Sequence, residues 1–276
     1  MYRSLNLISV PFVWCSIETA ELIKYAANAF LAVKISYINE IANLADQVGA
    51  DVHLVAQAMG MDGRISPKFL HPGPGYGGSC FPKDTQALVH TGRSHGVHLS
   101  IVEAAINSNN QQKMRRVQYL AELLWPLEGK TIAILGLAFK QQTDDVRESP
   151  AITMVNELLQ QDAIVRAYDP KAMERFAKRF PGIEYCADAY TAAQGADALV
   201  IMTEWNEFRS LDLEKIGSIM NHKTILDTRN VLDPTLVESL GFRYRSIGRP
   251  GSSKHLELNQ DSGVSDQHMQ DFTLPT

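Results

Sequence analysis

Lys130-Thr-Ile-Ala-Ile-Leu-Gly-Leu-Ala-Phe-Lys140 decides the fold. Residues 131–135 form a short apolar run that stops at Gly136. A run of that length, bounded by turn residues, reads as a buried strand. The pattern returns at 164–168, 198–202 and 224–226, with helical stretches such as 150–160 and 171–179 between. Strands alternating with helices predict an α/β domain, a Rossmann-like, doubly wound parallel sheet over residues 129–248. Its first turn holds one glycine, Gly136, followed by bulky Phe139. A dinucleotide-binding turn wants G-x-G-x-x-G, so the pyrophosphate of NAD is not expected there. Asp169, at the end of the second strand, suggests either a ribose-binding acid or, preferably, a cap beside Pro170.

Upstream the rhythm is helical. Residues 18–48 lack Pro and Gly and carry a wide apolar stripe, so the helix is expected to be buried on more than one side. Gly49 stops it, and Asp51 caps a shorter helix ending near Gly60. Residues 61–79 hold Pro67, Pro72, Pro74 and many glycines, which excludes regular structure. Pro82 fits the first turn of a helix through about His90, and another helix runs from about Leu99 to Leu124. This gives an all-helical central domain over 17–128. Beyond Arg249 the chain is polar and aperiodic, and residues 249–276 read as a disordered tail.

Bulk properties exclude several classes. The chain has 276 residues, enough for two domains, and a net charge of −5, which does not recruit nucleic acid. Its three cysteines (Cys15, Cys80, Cys186) are far apart and form no C-x-x-C, which disfavours zinc or a disulfide framework and fits a reducing cytoplasm. His90, His95 and His98 cluster without the carboxylates or cysteines that would complete a metal site. Leu5 to Trp14 loosely imitates a signal peptide, but it holds Asn6, Ser9 and Pro11 and is too short to span a bilayer. Residues 1–16 are read as an atypical leader or remnant.

Cys80 lies directly before the helix that Pro82 starts. Exposed N–H groups at a helix start favour an anion, and Lys83 adds positive charge; both raise the thiolate fraction. Asp84 sits four residues on, within reach for a base or a water-positioning group. The alternative is an inert thiol beside a loop. Lys24 and Asn28 share one face of the long helix, as either a solvated stripe or a polar pair aimed at a site. Lys113, Arg115 and Arg116 read as a solvated helix face.

Several long motifs then fall in one order. Glu21-Leu-Ile-Lys24-Tyr-Ala-Ala-Asn28, Gly75-Tyr-Gly-Gly-Ser-Cys80-Phe-Pro-Lys-Asp84, Gly136-Leu-Ala-Phe-Lys140, Thr143-Asp-Asp-Val-Arg147-Glu-Ser-Pro, Tyr168-Asp-Pro, Thr203-Glu-Trp and Asp227-Thr-Arg229-Asn together resemble the UDP-glucose/GDP-mannose dehydrogenase family over about residues 17–248. The Gly-Gly-Ser-Cys-Phe-Pro-Lys-Asp run is most similar to the UDP-glucose branch. The GDP-mannose branch usually has leucine where Phe81 stands, and N-acetylmannosamine-type relatives usually have histidine where Cys80 stands.

The resemblance implies oxidation of the C6 alcohol of UDP-glucose to a carboxylate, with NAD reduced twice. A cysteine suits this chemistry: a thiolate adds to the intermediate aldehyde, and the resulting thiohemiacetal offers a second hydride and becomes a thioester. By matching position, Cys80 is implied as the nucleophile and Lys24 as the oxyanion stabiliser, and Asp84 with Asn28 positions water. Phe69, Leu70, His71, Pro72, Gly73, Tyr76 and Gly77 are implied around the sugar nucleotide, with Phe139, Lys140 and Arg229 from the second domain. Arg64 is implied to reach a partner subunit's substrate, hence a homodimer. Cys80, Lys83 and Arg147 are implied at NAD. His71 stands where some animal members carry lysine; bacterial members often read His-Pro-Gly-Pro-Gly. The Rossmann-like domain then covers the UDP part of the substrate.

The family places an NAD domain before the long helix, and residues 1–16 resemble no glycine-rich strand–turn–helix. The chain alone is therefore expected to turn over negligibly. The competing readings are a non-catalytic UDP-sugar binding and dimerisation fragment, and a GDP-mannose dehydrogenase. No membrane or nucleic-acid partner is expected.

Overall fold

The computed structural model describes residues 12–249. Most of the atypical leader and all but the first residue of the expected tail lie outside the described residues. Four helices come first. In α1 (Ile17–Val48) the Ser16 side chain accepts from the Thr19 N–H, and Gly49, at φ 75°, bonds back to the Ala45 carbonyl. Asp51 caps α2 (Val52–Met61) through the His53 N–H. α3 (Phe81–Ser94) carries Pro82 in its first turn, and α4 (Ser100–Leu124) follows. α3 runs past His90 because its stop is Gly96, which takes the left-handed conformation at φ 71°.

The second part alternates as expected: β1 (Thr131–Leu135), α5 (Pro150–Gln160), β2 (Ile164–Tyr168), α6 (Met173–Ala177), β3 (Glu184–Tyr185), α7 (Ala189–Ala193) and β4 (Ala198–Ile201). Then come α8 (Asn206–Arg209), α9 (Leu213–Ile219), β5 (Thr224–Asp227), α10 (Pro234–Ser239) and β6 (Arg243–Arg245). The sheet has the order β3-β2-β1-β4-β5-β6, and every pairing is parallel. Thr131 registers with Ile164 on one side, and Ile132 with Ala198 on the other. The order reverses between β1 and β4, so their carboxyl ends open the crevice where ligands of such sheets bind. Ile132, Ile134 and Leu135 are completely buried. Each such side chain contributes about 1.5–3 kcal/mol by leaving water.

The sheet has two strands that the apolar pattern does not announce. β3 and β6 are short edge strands, each with one neighbour, and their sequences, Glu-Tyr and Arg-Tyr-Arg, carry no apolar run. Two expectations need correction. Lys113 and Arg116 are buried, at 9% and 0% exposure, and only Arg115 faces solvent. The reason is that α4 packs against α1 on one side and against α5 and β5 on the other. Conversely, Leu22, Ile23, Phe30, Tyr37 and Leu44 of α1 are exposed, so much of its wide stripe is uncovered in this chain.

The two parts share a junction. Ile38, Ala42, Ala45, Val52 and Leu70 form a small core of the helical part, and Ile247, from beyond β6, completes it. The Val52 N–H donates to the Gly248 carbonyl at 2.8 Å, and the Gly248 N–H donates to Asp46 Oδ1 at 2.8 Å. Gly248 has φ 65°, and a Cβ there would lie 2.9 Å from Ala42 Cα. Among the described residues no helix is long and apolar enough to cross a membrane.

Candidate active site

Cys80 occupies the position just before α3, exposed, with no side-chain cap on the helix. Its carbonyl accepts from the Asp84 N–H at 2.8 Å, closing the first helical turn. That turn places Asp84 four residues on, one helical turn from Cys80, fully buried. Three donors converge on the carboxylate. Lys24 Nζ and Asn28 Nδ2 reach Oδ2 at 2.8 and 2.6 Å, and Lys83 Nζ reaches Oδ1 at 2.6 Å. Lys24 and Asn28 are thus joined through one buried carboxylate instead of standing as separate solvated side chains. Burial pushes the Asp84 carboxyl up, but the hydrogen bonds from Lys24, Lys83 and Asn28 outweigh it and hold it at about 2. The Asp84 hydrogen bond and charge come first in raising the Lys83 pKa, with Tyr25 and Cys80 adding smaller contributions. Asp145 and then Cys80 act likewise on Arg147, so both cations sit within electrostatic reach of the sulfur.

The depressed Asp84 pKa sets an acid limit. Because it lies below the ordinary 3.8, the ionised form stabilises the fold above about pH 4, and that contribution is lost as pH falls towards 2. An Asp84→Asn chain is expected to show a shallower loss of stability between those values. Urea midpoints measured across that range check it, and equal slopes for the two chains would count against the triad.

The loop before Cys80 packs against the second part. The Gly78 N–H donates to the Arg147 carbonyl at 2.8 Å. A Cβ on Gly77 would lie 2.3 Å from the Glu148 carbonyl oxygen, and one on Gly78 would meet the Phe139 ring at 2.8 Å. Glycine is required at both positions by close approach. Arg229 is fixed by its Nε donating to the Met202 carbonyl and its Nη2 to the Phe139 carbonyl, both at 2.9 Å, with Glu204 Oε2 at 3.2 Å from Nε. Its Nη1 is left facing Gly73, 3.4 Å from where a Cβ would stand.

Two cavities are lined by residues on either side of Cys80 in the chain. The first, about 430 Å³, is lined by Phe69, His71, Gly73, Tyr76, Gly77, Phe139 and Arg229 among the expected residues. Ile35, Asn39, Lys68 and Phe81 also line it. Phe81 packs edge-on against both Phe69 and Tyr76. Phe69 is in the left-handed region at φ 64°, a conformation that costs a non-glycine residue about 1–3 kcal/mol and recurs at ligand sites. Leu70 lies behind the wall in the small helical core, Pro72 is buried, and Lys140 extends over the Phe139 ring. Arg64 is not brought here. It is exposed, pairs with Asp62, and lines a separate depression with Phe30, Tyr37 and Met59. The second cavity, about 770 Å³, is lined by Ser79, Pro82, Lys83, His90, Arg147 and Arg179, among others. Sequence reading missed Lys68 and Arg179 because a lone basic residue in a loop or at a helix end carries no signal until packing places it.

Asp169 is settled as a cap. Its Oδ2 accepts from the Leu137 and Ala138 N–H groups and from Trp205 Nε1, and its Oδ1 from the Lys171 and Ala172 N–H groups. The β1 turn therefore already holds a carboxylate on the N–H groups that a pyrophosphate would need. Among the described residues no group of His, Cys, Asp and Glu is arranged to hold a metal ion, and His98 pairs with Glu103.

Comparison with known proteins matches both parts of the chain to one family. Residues 18–111 match the central domain of the UDP-glucose/GDP-mannose dehydrogenase family, and residues 133–234 match that family's UDP binding domain. The chain is 51% identical over 252 residues to the UDP-glucose 6-dehydrogenase of Rhizobium meliloti (strain 1021), covering 91% of this chain and 57% of that protein. It is 45% identical over 241 residues to UDP-glucose 6-dehydrogenase TuaD of Bacillus subtilis (strain 168), covering 87% and 52%. The structure of a UDP-glucose dehydrogenase from Pyrobaculum islandicum aligns with TM-score 0.76 and 37% identity, covering 82% of this chain and 51% of the other. The chain thus spans a little over half the length of these curated relatives. With both domain matches in order around the cysteine loop, it belongs to the UDP-glucose/GDP-mannose dehydrogenase family.

Proposed function

We propose that the first cavity holds UDP-glucose with C6 directed at Cys80, and that the chain carries the thiol half of the UDP-glucose 6-dehydrogenase reaction. The observation that carries this reading is the buried Asp84 gathering Lys24, Asn28 and Lys83 one helical turn beyond an exposed thiol. Lys68, His71 and Arg229 supply positive or hydrogen-bonding groups for a diphosphate, and Phe69, Phe81 and Phe139 supply flat apolar surface for the rest. Curated relatives named for UDP-glucose, with Phe81 and Cys80 as they stand, favour UDP over GDP.

In this reading the Lys24 ammonium stabilises the C6 oxyanion. Cys80 Sγ adds to the aldehyde carbon, forming a C–S bond while the carbonyl oxygen takes the electron pair and then a proton. NAD, when bound, supplies a hydride acceptor. Cys80 retains the carbon as a thioester until water cleaves it, with the thiolate as leaving group. At about 2, the Asp84 carboxyl is a weak base, so its part is to orient Lys24 and the water with Asn28. The β1 turn does not fit NAD, because Asp169 fills it. The cleft beside Cys80 does fit an anionic cofactor, and Lys83 and Arg147 would hold it there. A homodimer belongs to the same reading: a second copy would cover the exposed Phe30 and Tyr37, beside Arg64.

Calorimetric titration of UDP-glucose into the purified chain tests the proposal. Saturable binding is expected, displaced by UDP and not by GDP, with no steady NADH formation by the chain alone. NADH should appear when the amino-terminal domain of a relative is added in trans. Binding without that rescue would favour a non-catalytic binding fragment, and no binding at all would sink the reading. Preferential displacement by GDP would move the substrate to GDP-mannose.

A further inference from the structure

Gly73 and Tyr76, in the loop that lines the first cavity, have no strand partner. Even so, all four of their backbone polar groups are bonded, and every partner is a side-chain amide. The Gly73 N–H donates to Asn39 Oδ1 at 2.8 Å, and its carbonyl accepts from Gln112 Nε2 at 2.8 Å. The Tyr76 N–H donates to Asn109 Oδ1 at 2.7 Å, and its carbonyl accepts from Asn109 Nδ2 at 3.1 Å. Asn39 comes from α1, and Asn109 and Gln112 from α4; all three are buried. Between the two clamped residues Gly75, at φ 112°, lies directly on α4, with its Cβ position 3.0 Å from Asn109 Oδ1.

An amide has a donor end and an acceptor end, so Gln112 serves this loop in one orientation only. Arg116 fixes that orientation, because a guanidinium donates and never accepts. Its Nη2 reaches Asn43 Oδ1 at 2.6 Å and Gln112 Oε1 at 3.3 Å, and Asn43 Nδ2 donates to Gln112 Oε1 at 2.9 Å. With its oxygen engaged on two donors, Gln112 has only its NH₂ for the Gly73 carbonyl. Arg116 is fully buried, and its Nε and Nη1 lack partners, an arrangement that a core built for stability alone would avoid. Burial lowers its pKa to about 10, which leaves it charged at neutral pH.

We propose that Asn39, Asn109 and Gln112 are positioning residues that hold the sugar-nucleotide loop in its binding form before ligand arrives, with Arg116 setting the amide polarity. This rests on the functional reading above, since it makes the loop's shape a determinant of UDP affinity. A preformed loop spares the ligand the ordering cost of binding.

Two variants and two measurements test it. Asn109→Ala removes both bonds to Tyr76. Gln112→Glu keeps an acceptor for Arg116 but cannot donate to Gly73. NMR hydrogen exchange on the full 276-residue chain without ligand reads the loop, and titration with UDP reads its consequence. In Asn109→Ala the Tyr76 N–H is expected to exchange about tenfold faster, and UDP to bind about tenfold more weakly, the scale of two net hydrogen bonds. Amides of β1 and β4 should keep their rates. Asn109→Asp, which retains the acceptor, should restore Tyr76 protection. Gln112→Glu should weaken UDP severalfold with a melting temperature lowered by no more than a few degrees. UDP affinity within twofold of the unsubstituted chain in both variants would overturn the proposal, as would exchange that rises evenly across the sheet. If the unsubstituted chain fails to bind UDP, the functional reading falls, and the exchange arm alone decides the clamp.

Discussion

A Gly77→Ala chain is expected to keep its sheet and lose about 100-fold or more in UDP-glucose affinity. The new Cβ would stand 2.3 Å from the Glu148 carbonyl oxygen and 2.8 Å from its carbon, and both are backbone atoms. Neither side has slack. Glu148 already sits in the left-handed region at φ 52°, and Lys113 Nζ holds its carbonyl at 3.3 Å. On the loop side, Gly78 is tied to the Arg147 carbonyl, and Tyr76 is clamped by Asn109. The loop must therefore lift away from 147–148 by about 1 Å; a misplacement of that size can cost about 100-fold in rate at a preorganised site, and a loss of affinity on the same scale is expected here. The strands touch none of these atoms, so thermal unfolding should move by only a few degrees. Calorimetry with UDP-glucose reads the outcome, and an affinity within threefold of the unsubstituted chain would refute the close-approach argument.

The largest stability effect is expected at Asp169. Its side chain is fully buried and accepts five hydrogen bonds, from four backbone N–H groups and the Trp205 indole. Alanine leaves those donors unpaired where the β1 turn, the start of α6 and the β4 exit meet. Unsatisfied buried donors cost about 1–3 kcal/mol each before relaxation, and water can enter part of the gap, so a net loss of about 4 kcal/mol is expected. Asp169→Asn is the milder change, since it keeps one acceptor oxygen and turns an NH₂ towards groups that only donate. Urea denaturation followed by circular dichroism orders the three chains. A loss under about 1 kcal/mol for Asp169→Ala would mean that the turn is held by its backbone alone.

The parts of this fold legible in sequence are those where one residue type dictates a local outcome. Asp51, Gly49 and Pro82 mark helix ends because capping and left-handed turns are local chemistry. β1 and β4 are legible because a central strand buried on both faces must be continuously apolar. β3 and β6 are not, because an edge strand is set by its neighbour. At the site, the spacing from Cys80 to Asp84 follows from one helical turn, whereas the convergence of Lys24 on Asp84 joins residues far apart in the chain. Arg116 is the instructive miss. On α4 a basic residue among polar neighbours reads as solvated, and only the packing of α1 and the sheet on opposite sides of that helix makes it a buried organiser of amides.

The junction at Ile247 and Gly248 bears on how the chain is made. The helical part is synthesised before the sheet, yet its small core waits for a side chain near the far end of the described residues. Nascent α1 can pack on α3 and α4 early, but its corner with α2 lacks one wall until the sheet is nearly complete. A chain cut just before residue 247 should accordingly loosen at the corner between α1 and α2, with protease sites appearing around Ala42 and Val52. The two parts should also melt in one transition, behaving as a single cooperative unit with its clasp at the carboxyl side.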